Sequence, residues 1–212
     1  MERNELYPIF LKVNQLDVLI IGGGNVGLEK LGFLLKSSPN ANVEVISKDF
    51  IPELKTLAAQ HPHVKLTQKA YEVSDLEKRH MVIGCTDDLE VNLQINQDAK
   101  AKHLIVNIAD TPDQCDFYLG GIVTKGHVKI AISTNGKSPT TAKRLRQFLE
   151  EVIPDNITDF VSNLNAYRKT LKGDFQYKVD ELNKITEGLV SKKNKYDNNK
   201  IFWSAYRTHP LQ

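Results

Sequence analysis

Asp17-Val-Leu-Ile-Ile-Gly-Gly-Gly-Asn-Val-Gly-Leu-Glu-Lys30 is the stretch that decides the fold. Val18 to Ile21 is a short, mostly β-branched apolar run, suited to a strand buried on both faces. The run breaks at Gly22-Gly23-Gly24 and resumes at Val26 with helical spacing, at Leu28, Leu31, Leu34 and Leu35. Strand, glycine turn and helix in this order give Gly22-x-Gly24-x-x-Gly27, the dinucleotide fingerprint. Gly22 makes the tight turn, Gly24 lets backbone N–H groups approach a pyrophosphate, and Gly27 seats the helix on its strand. The helix start adds unpaired donors and a positive dipole end.

Working outward, strand and helix keep alternating. Upstream, Tyr7 to Val13 reads as a short strand or arm on the sheet edge. Downstream, Val43–Ile46 is a second strand, and Phe50–Gln60 a helix with Pro52 in its first turn. Val64–Thr67 is a third strand, and Val73–Lys78 a short helix or turn. Met81–Cys85 is a fourth strand, about Glu90 to Lys102 a helix, and Leu104–Ile108 a fifth strand. That order predicts a Rossmann-like parallel sheet with helices on both faces. After Asp110 the pattern changes. Phe117–Val123 and Val128–Ser133 form two strands about a Lys-Gly turn, a candidate dimer contact because its edges need covering. Ser138 caps a helix that has Pro139 at its first position and Ala142, Leu145, Phe148 and Leu149 as its apolar stripe. Pro154 ends that helix, and Ile157 to Leu189 supplies one or two more, with a break at Gly173. We therefore divide the chain into a nucleotide-binding domain (1–112), a small α+β dimerisation and substrate segment (113–150) and a helical region with a polar tail (151–212). The tail from Ser191 is polar, and Ile201–Tyr206 is a short apolar patch within it.

The bulk numbers exclude several classes. A chain of 212 residues with 41% hydrophobic and 25% charged content is an ordinary globular protein, and a formal charge of +2 gives no argument for nucleic acid. Cys85 lies in an apolar segment, so a buried reduced thiol is expected rather than a disulfide with Cys115. With no run of 18 apolar residues and no signal-like start, the expected location is cytoplasmic. The six histidines are scattered without a carboxylate or cysteine cluster, so no tightly bound metal is expected.

A dinucleotide lies across the carboxyl ends of parallel strands, so residues just beyond them are the candidate site. The end of the second strand carries Ser47-Lys48-Asp49 where an acidic residue ordinarily binds the ribose. Asp49 can still reach those hydroxyls, whereas Lys48 would tolerate a 2′-phosphate; the sequence leans to NAD over NADP. Thr86-Asp87-Asp88 is placed to line the adenosine side, and Asp88 reads equally well as a helix cap. Asn107-Ile-Ala-Asp110 ends the fifth strand, where the nicotinamide should lie. Asp110 is a candidate general base, although spacing alone favours a turn-forming Asp; Asp113 and Asp116 follow in the same loop. Ser133-Thr134-Asn135-Gly136-Lys137-Ser138, with Arg144 close behind, suits a polycarboxylate anion or, more plainly, a well-capped helix with a basic face.

The pieces Tyr7–Leu11, Ile20–Lys30, Cys85–Asp88, Val106–Asp110 with Cys115–Phe117, and Ile130–Pro139 together resemble the siroheme-synthase N-terminal family of precorrin-2 dehydrogenases, some of them also sirohydrochlorin ferrochelatases. The likeness covers residues 7 to about 150. Two departures are Gly27 in place of a usual Ala and Asn135-Gly136 in place of a Gly-Gly pair. The resemblance implies oxidation of precorrin-2 to sirohydrochlorin with NAD as acceptor, and in some members Fe²⁺ insertion afterwards. It assigns Asp110 as the essential aspartate. It places NAD on Gly24, Asn25, Val26, Lys48 and Asp49, the tetrapyrrole on Ser133–Ser138, and a homodimer through the segment after the fifth strand. A nucleotide-sensing regulatory domain of an ion-transport system shares the glycine motif. Such domains ordinarily keep an acid where Ser47 stands and lack the 133–139 loop.

Overall fold

The computed structural model describes residues 3–189. Five parallel strands form the central sheet: β1 (Asp17–Ile21), β2 (Asn42–Ser47), β3 (Val64–Gln68), β4 (Met81–Gly84) and β5 (Ile105–Ile108), in spatial order β3-β2-β1-β4-β5. The register sets Ile21 beside Ile46 and Gly84, and Gly84 beside Ile108. The carboxyl ends of these four strands therefore lie along one edge. The strands run outward from β1 to β3 on one side and from β4 to β5 on the other, so strand order reverses between β1 and β4, the switch point at which such sheets bind ligands.

Each face has its own apolar layer because successive side chains alternate. On one side Val18, Ile20, Val43, Val45 and Ile83 pack under α1 (Asn25–Ser37) and α2 (Pro52–Ala59), through Leu31, Leu34, Leu35 and Leu54. On the other, Leu19, Ile21, Ile46, Val82, Val106 and Ile108 meet Ile95 and Ala99 of α3 (Leu89–Ala101) and Leu76 of a 3-10 turn (Val73–Leu76). Over β2 and β3 this second face also carries a polar cluster. Glu44 is gripped by Lys65, Arg79 and Thr67. Burial alone would push its carboxyl up, but those three partners outweigh burial and hold it at about 2.

The remaining elements are a two-stranded sheet, β6 (Gly121–Lys125) with β7 (Val128–Ile132), and three helices, α4 (Pro139–Val152), α5 (Ile157–Thr170) and α6 (Phe175–Thr186). The break at Gly173 is real, with φ at +137°. Two compact units result. One holds residues up to Ile122 together with Ala131–Ala142; the other holds Val123–Ile130 and the chain from Lys143 on. The division thus cuts through the 113–150 segment instead of following its ends, because β6, β7 and α4 each run through both units.

Of the two readings of the N-terminal stretch, strand or arm, the structure shows the arm. Residues 4–12 form no strand, and Tyr7 is 87% exposed. Pro8 has no N–H to give a ladder, and only Val13 enters the core. The apolar stripe of α4 stays at the surface. None of its residues is buried, and Leu145, Phe148 and Val152 are exposed. The tail from Ser191 and the Ile201–Tyr206 patch lie outside the described residues. Among the described residues no helix is long and apolar enough to cross a membrane.

Candidate functional site

The glycine turn is built as its spacing requires. Gly22 has φ +133°, and a Cβ there would stand 2.4 Å from the Cys85 carbonyl oxygen. At Gly27 a Cβ would stand 2.1 Å from the Gly22 carbonyl oxygen, which is how α1 comes to sit on the turn. Gly24, by contrast, faces open space. It is the N-cap residue of α1 and offers no side-chain bond, so the first amides of Asn25, Val26 and Gly27 have no side-chain cap. An open cradle with uncapped amides fits a pyrophosphate.

The neighbouring strand ends complete that edge. After β2 the chain wraps against the turn, the Ile51 amide donating to the Gly23 carbonyl at 3.0 Å. Lys48 and Asp49 are exposed there. Gln68, which sequence reasoning missed, fixes this loop by donating its side-chain amide to the Lys48 carbonyl at 2.9 Å. After β4, Thr86 is engaged internally. Its hydroxyl lies 2.8 Å from Asn92 Oδ1, and Asn92 Nδ2 donates back to the Thr86 carbonyl at 2.9 Å. Asn92 is a buried polar residue that helical periodicity hides, since a polar side chain on α3 reads as solvent-facing. Asp88 is the helix cap, accepting from the amides of Glu90 and Val91. Asp87 is exposed beside it. Cys85 is a free, buried thiol, 3.3 Å from the Ile21 carbonyl, and burial pushes it up to about 12. It backs the turn and is chemically quiet at neutral pH.

Asp110 is exposed, two residues past β5, with φ +58°. It occupies the third position of a turn closed by Thr111 N–H donating to the Ile108 carbonyl at 3.3 Å. Asp tolerates this left-handed conformation better than most side chains, but it remains uncommon and clusters at functional sites. Asn107 is buried, and its amide donates to the Phe117 carbonyl at 2.8 Å. Strand alternation accounts for this: Val106 and Ile108 face α3, so Asn107 must face the opposite layer, where Phe117 packs. Asp116 is bound to Lys100 and to the Val106 amide, and Asp113 is exposed in the same loop.

The loop from Ser133 to Ser138 is a preformed turn. Asn135 (φ +51°) and Gly136 (φ +73°) occupy its centre, and the Lys137 amide donates to the Thr134 carbonyl at 3.0 Å. Two successive positive φ values are what the Asn-Gly dipeptide favours. The loop's hydroxyls are spent on its own frame: Ser133 Oγ accepts from the Asn135 amide, Thr134 Oγ1 from the Ser138 amide, and Ser138 Oγ from the Thr141 amide as the helix cap. Asn4 reaches the Ser133 carbonyl at 3.4 Å, placing the arm beside this loop. Arg144 belongs to the other compact unit and donates to Gln147.

A family model described as NAD(P)-binding matches residues 9–121, over half of the chain, and one for the central part of the sirohaem biosynthesis protein matches residues 125–151. The chain belongs to the siroheme-synthase N-terminal family. Among relatives of that family, the siroheme synthase of Nitrosomonas europaea is 34% identical over 96% of this chain and 39% of its own length. That of Pseudoalteromonas atlantica is 33% identical over 81% of this chain and 36% of its own length. The chain thus spans well under half of these relatives. A solved structure titled SirC, precorrin-2 dehydrogenase, is 18% identical with a TM-score of 0.69, covering 95% of this chain and 99% of that one, which establishes a shared fold. Among the described residues no group of three or more His, Cys, Asp or Glu side chains could hold a metal ion.

Proposed function

We propose that this chain oxidises precorrin-2 to sirohydrochlorin with NAD. One observation carries the reading. An exposed carboxylate, Asp110, is held in a left-handed turn on the same sheet edge as the open glycine cradle. Membership of an NAD(P)-binding family whose relatives are siroheme synthases agrees with it.

When bound, the dinucleotide supplies the acceptor for a hydride. The chain's own residues do the rest. The amides of Asn25, Val26 and Gly27, behind Gly22 and Gly24, hold the pyrophosphate. Lys48 and Asp49 flank the ribose, and Thr86 and Asp87 border the adenosine side. Asp49 favours NAD, whereas the exposed Lys48 beside it would accept the 2′-phosphate of NADP, and titration with both dinucleotides decides between them. Oxidation of the macrocycle removes two hydrogens, one as hydride and one as a proton, and Asp110 takes the proton as general base. The loop Ser133, Thr134, Asn135, Gly136, Lys137 and Ser138 meets the substrate carboxylates with its backbone amides and the Lys137 charge. Its hydroxyls serve to keep that turn in shape. Arg144, which the sequence offers as a further cation for the substrate, is tested separately by substitution to Ala.

The exposed residues Leu145, Phe148 and Val152 on α4 support a homodimer, in keeping with the expected role of the segment after β5. We place the enzyme in the cytoplasm, where NAD is available. Fe²⁺ would enter only as a second substrate. The decisive assay incubates precorrin-2, NAD and protein without oxygen: NADH absorbance and the sirohydrochlorin bands should rise together. NAD binding with no NADH formed would favour the regulatory-domain reading. Adding Fe²⁺ to the same mixture tests metal insertion.

A further inference from the structure

β5 is the last strand of its sheet, so the backbone groups of Val106 and Ile108 that point away from β4 have no strand to meet. An open edge of this kind must be covered or paired. Among the described residues no sixth strand does so. The loop that follows Asp110 folds back along the edge and supplies the partners mostly from side chains. At Val106, Asp116 donates its amide to the carbonyl at 2.7 Å, and its Oδ2 accepts from the amide at 3.0 Å. At Ile108 the Cys115 thiol takes both roles, accepting from the amide at 3.3 Å and lying 3.2 Å from the carbonyl. Its sulfur is also 3.3 Å from the Thr111 carbonyl, and Asn107 Nδ2 lies 3.3 Å from the same sulfur while bonding Phe117.

Cys115 therefore touches both ends of the four-residue turn, Ile108 and Thr111, whose third residue is Asp110. We infer that Asn107, Cys115 and Asp116 form a side-chain clasp on the open edge of β5, and that Asn107 and Cys115 are positioning residues that set where the Asp110 carboxylate stands. The inference rests on the role given to Asp110 above. A turn held only by its own 3.3 Å bond would sample other conformations, and φ +58° is not one that Asp prefers unaided. The thiol suits the place. Its long bonds let one atom reach three backbone groups, and the half-buried site keeps it protonated and able to donate, burial being the main reason its pKa is raised.

The same clasp leads the chain toward the substrate loop. Phe117 and Leu119 pack on the core beneath α1, and a Cβ at Gly120 would stand 2.4 Å from the Ile132 carbonyl, one residue before Ser133. Asp110 and the 133–138 loop thus descend from one anchored segment.

The test compares Cys115→Ala with Cys115→Ser. Alanine removes every contact of the sulfur, whereas a hydroxyl can still donate and accept. In Cys115→Ala, amide exchange at Ile108 and Thr111 should quicken. kcat for precorrin-2 oxidation should drop about 10- to 100-fold, as expected when a reacting group is misplaced by an ångström or so. NAD affinity should stay unchanged. Cys115→Ser should recover most of both readouts, and Asn107→Ala should repeat the kcat loss. Unchanged exchange, an unchanged kcat, or a Ser variant as poor as the Ala variant would overturn the clasp. The reading beneath it fails differently: an Asp110→Asn protein with full activity removes Asp110 from the reaction, whatever the exchange rates at Ile108 and Thr111.

Discussion

Asp110 and Gly22 show how single residues carry this site. Gly22 combines φ +133° with backbone and sulfur atoms of Cys85 packed where a Cβ would go. Neither strain can relax without moving β4, which is buried throughout. Gly22→Ala should therefore lower stability by about 2–3 kcal/mol, the range for a disallowed backbone with a core clash. It should weaken NAD binding in parallel, and urea denaturation with NAD titration measures both. The glycine roles were legible from sequence because a Gly-x-Gly-x-x-Gly spacing between a strand and a helix has a physical reason at each position. The fate of Asn107 and Asn92 was not. An asparagine at a strand end reads as a site residue, and one on a helix reads as solvent-facing. Only packing shows that Asn107 holds Phe117 and that Asn92 holds Thr86.

At the scale of elements, every strand and helix of the nucleotide-binding half was legible, since buried parallel strands and amphipathic helices differ in period. Tyr7–Val13 reads as either strand or arm, because aromatic and aliphatic residues fit a strand pattern while Pro8 cannot donate to a ladder. The loop beyond Asp110 was likewise opaque: its cover for β5 is made by a thiol and a carboxylate, for which no periodicity exists. The helix α4 is the reverse case. Its apolar stripe is plain in the sequence, and of it Leu145 and Phe148 are exposed, as is Val152 one turn further on. If a second copy covers them, Phe148→Glu should convert a dimer to a monomer, since a charge placed in an apolar interface is costly. Sedimentation velocity at micromolar concentration reads this directly, and an unchanged dimer would place the interface elsewhere.

At the scale of the whole molecule, acid stability should follow Glu44. Its carboxyl titrates near 2 in the folded chain against an ordinary 4.5. A depressed pKa contributes stability that is fully present above 4.5 and is lost as pH falls through about 2. Glu44→Gln should accordingly cost about 1–3 kcal/mol at pH 7 by breaking a partly buried charged cluster. At pH 3 the gap between variant and parent should narrow, and urea midpoints at the two pH values test this. Thiol chemistry at Cys85 should not intrude, because that side chain is buried and quiet.

The central claim is that Asp110 performs the proton transfer of an NAD-dependent tetrapyrrole oxidation. Asp110→Asn tests it most directly, since asparagine accepts the same left-handed backbone and keeps the shape while losing the charge. Anaerobic turnover of precorrin-2 with NAD should fall by roughly 100-fold or more, the usual worth of a general base, with NAD affinity unchanged. A variant that forms NADH and sirohydrochlorin at the parent rate would contradict the account.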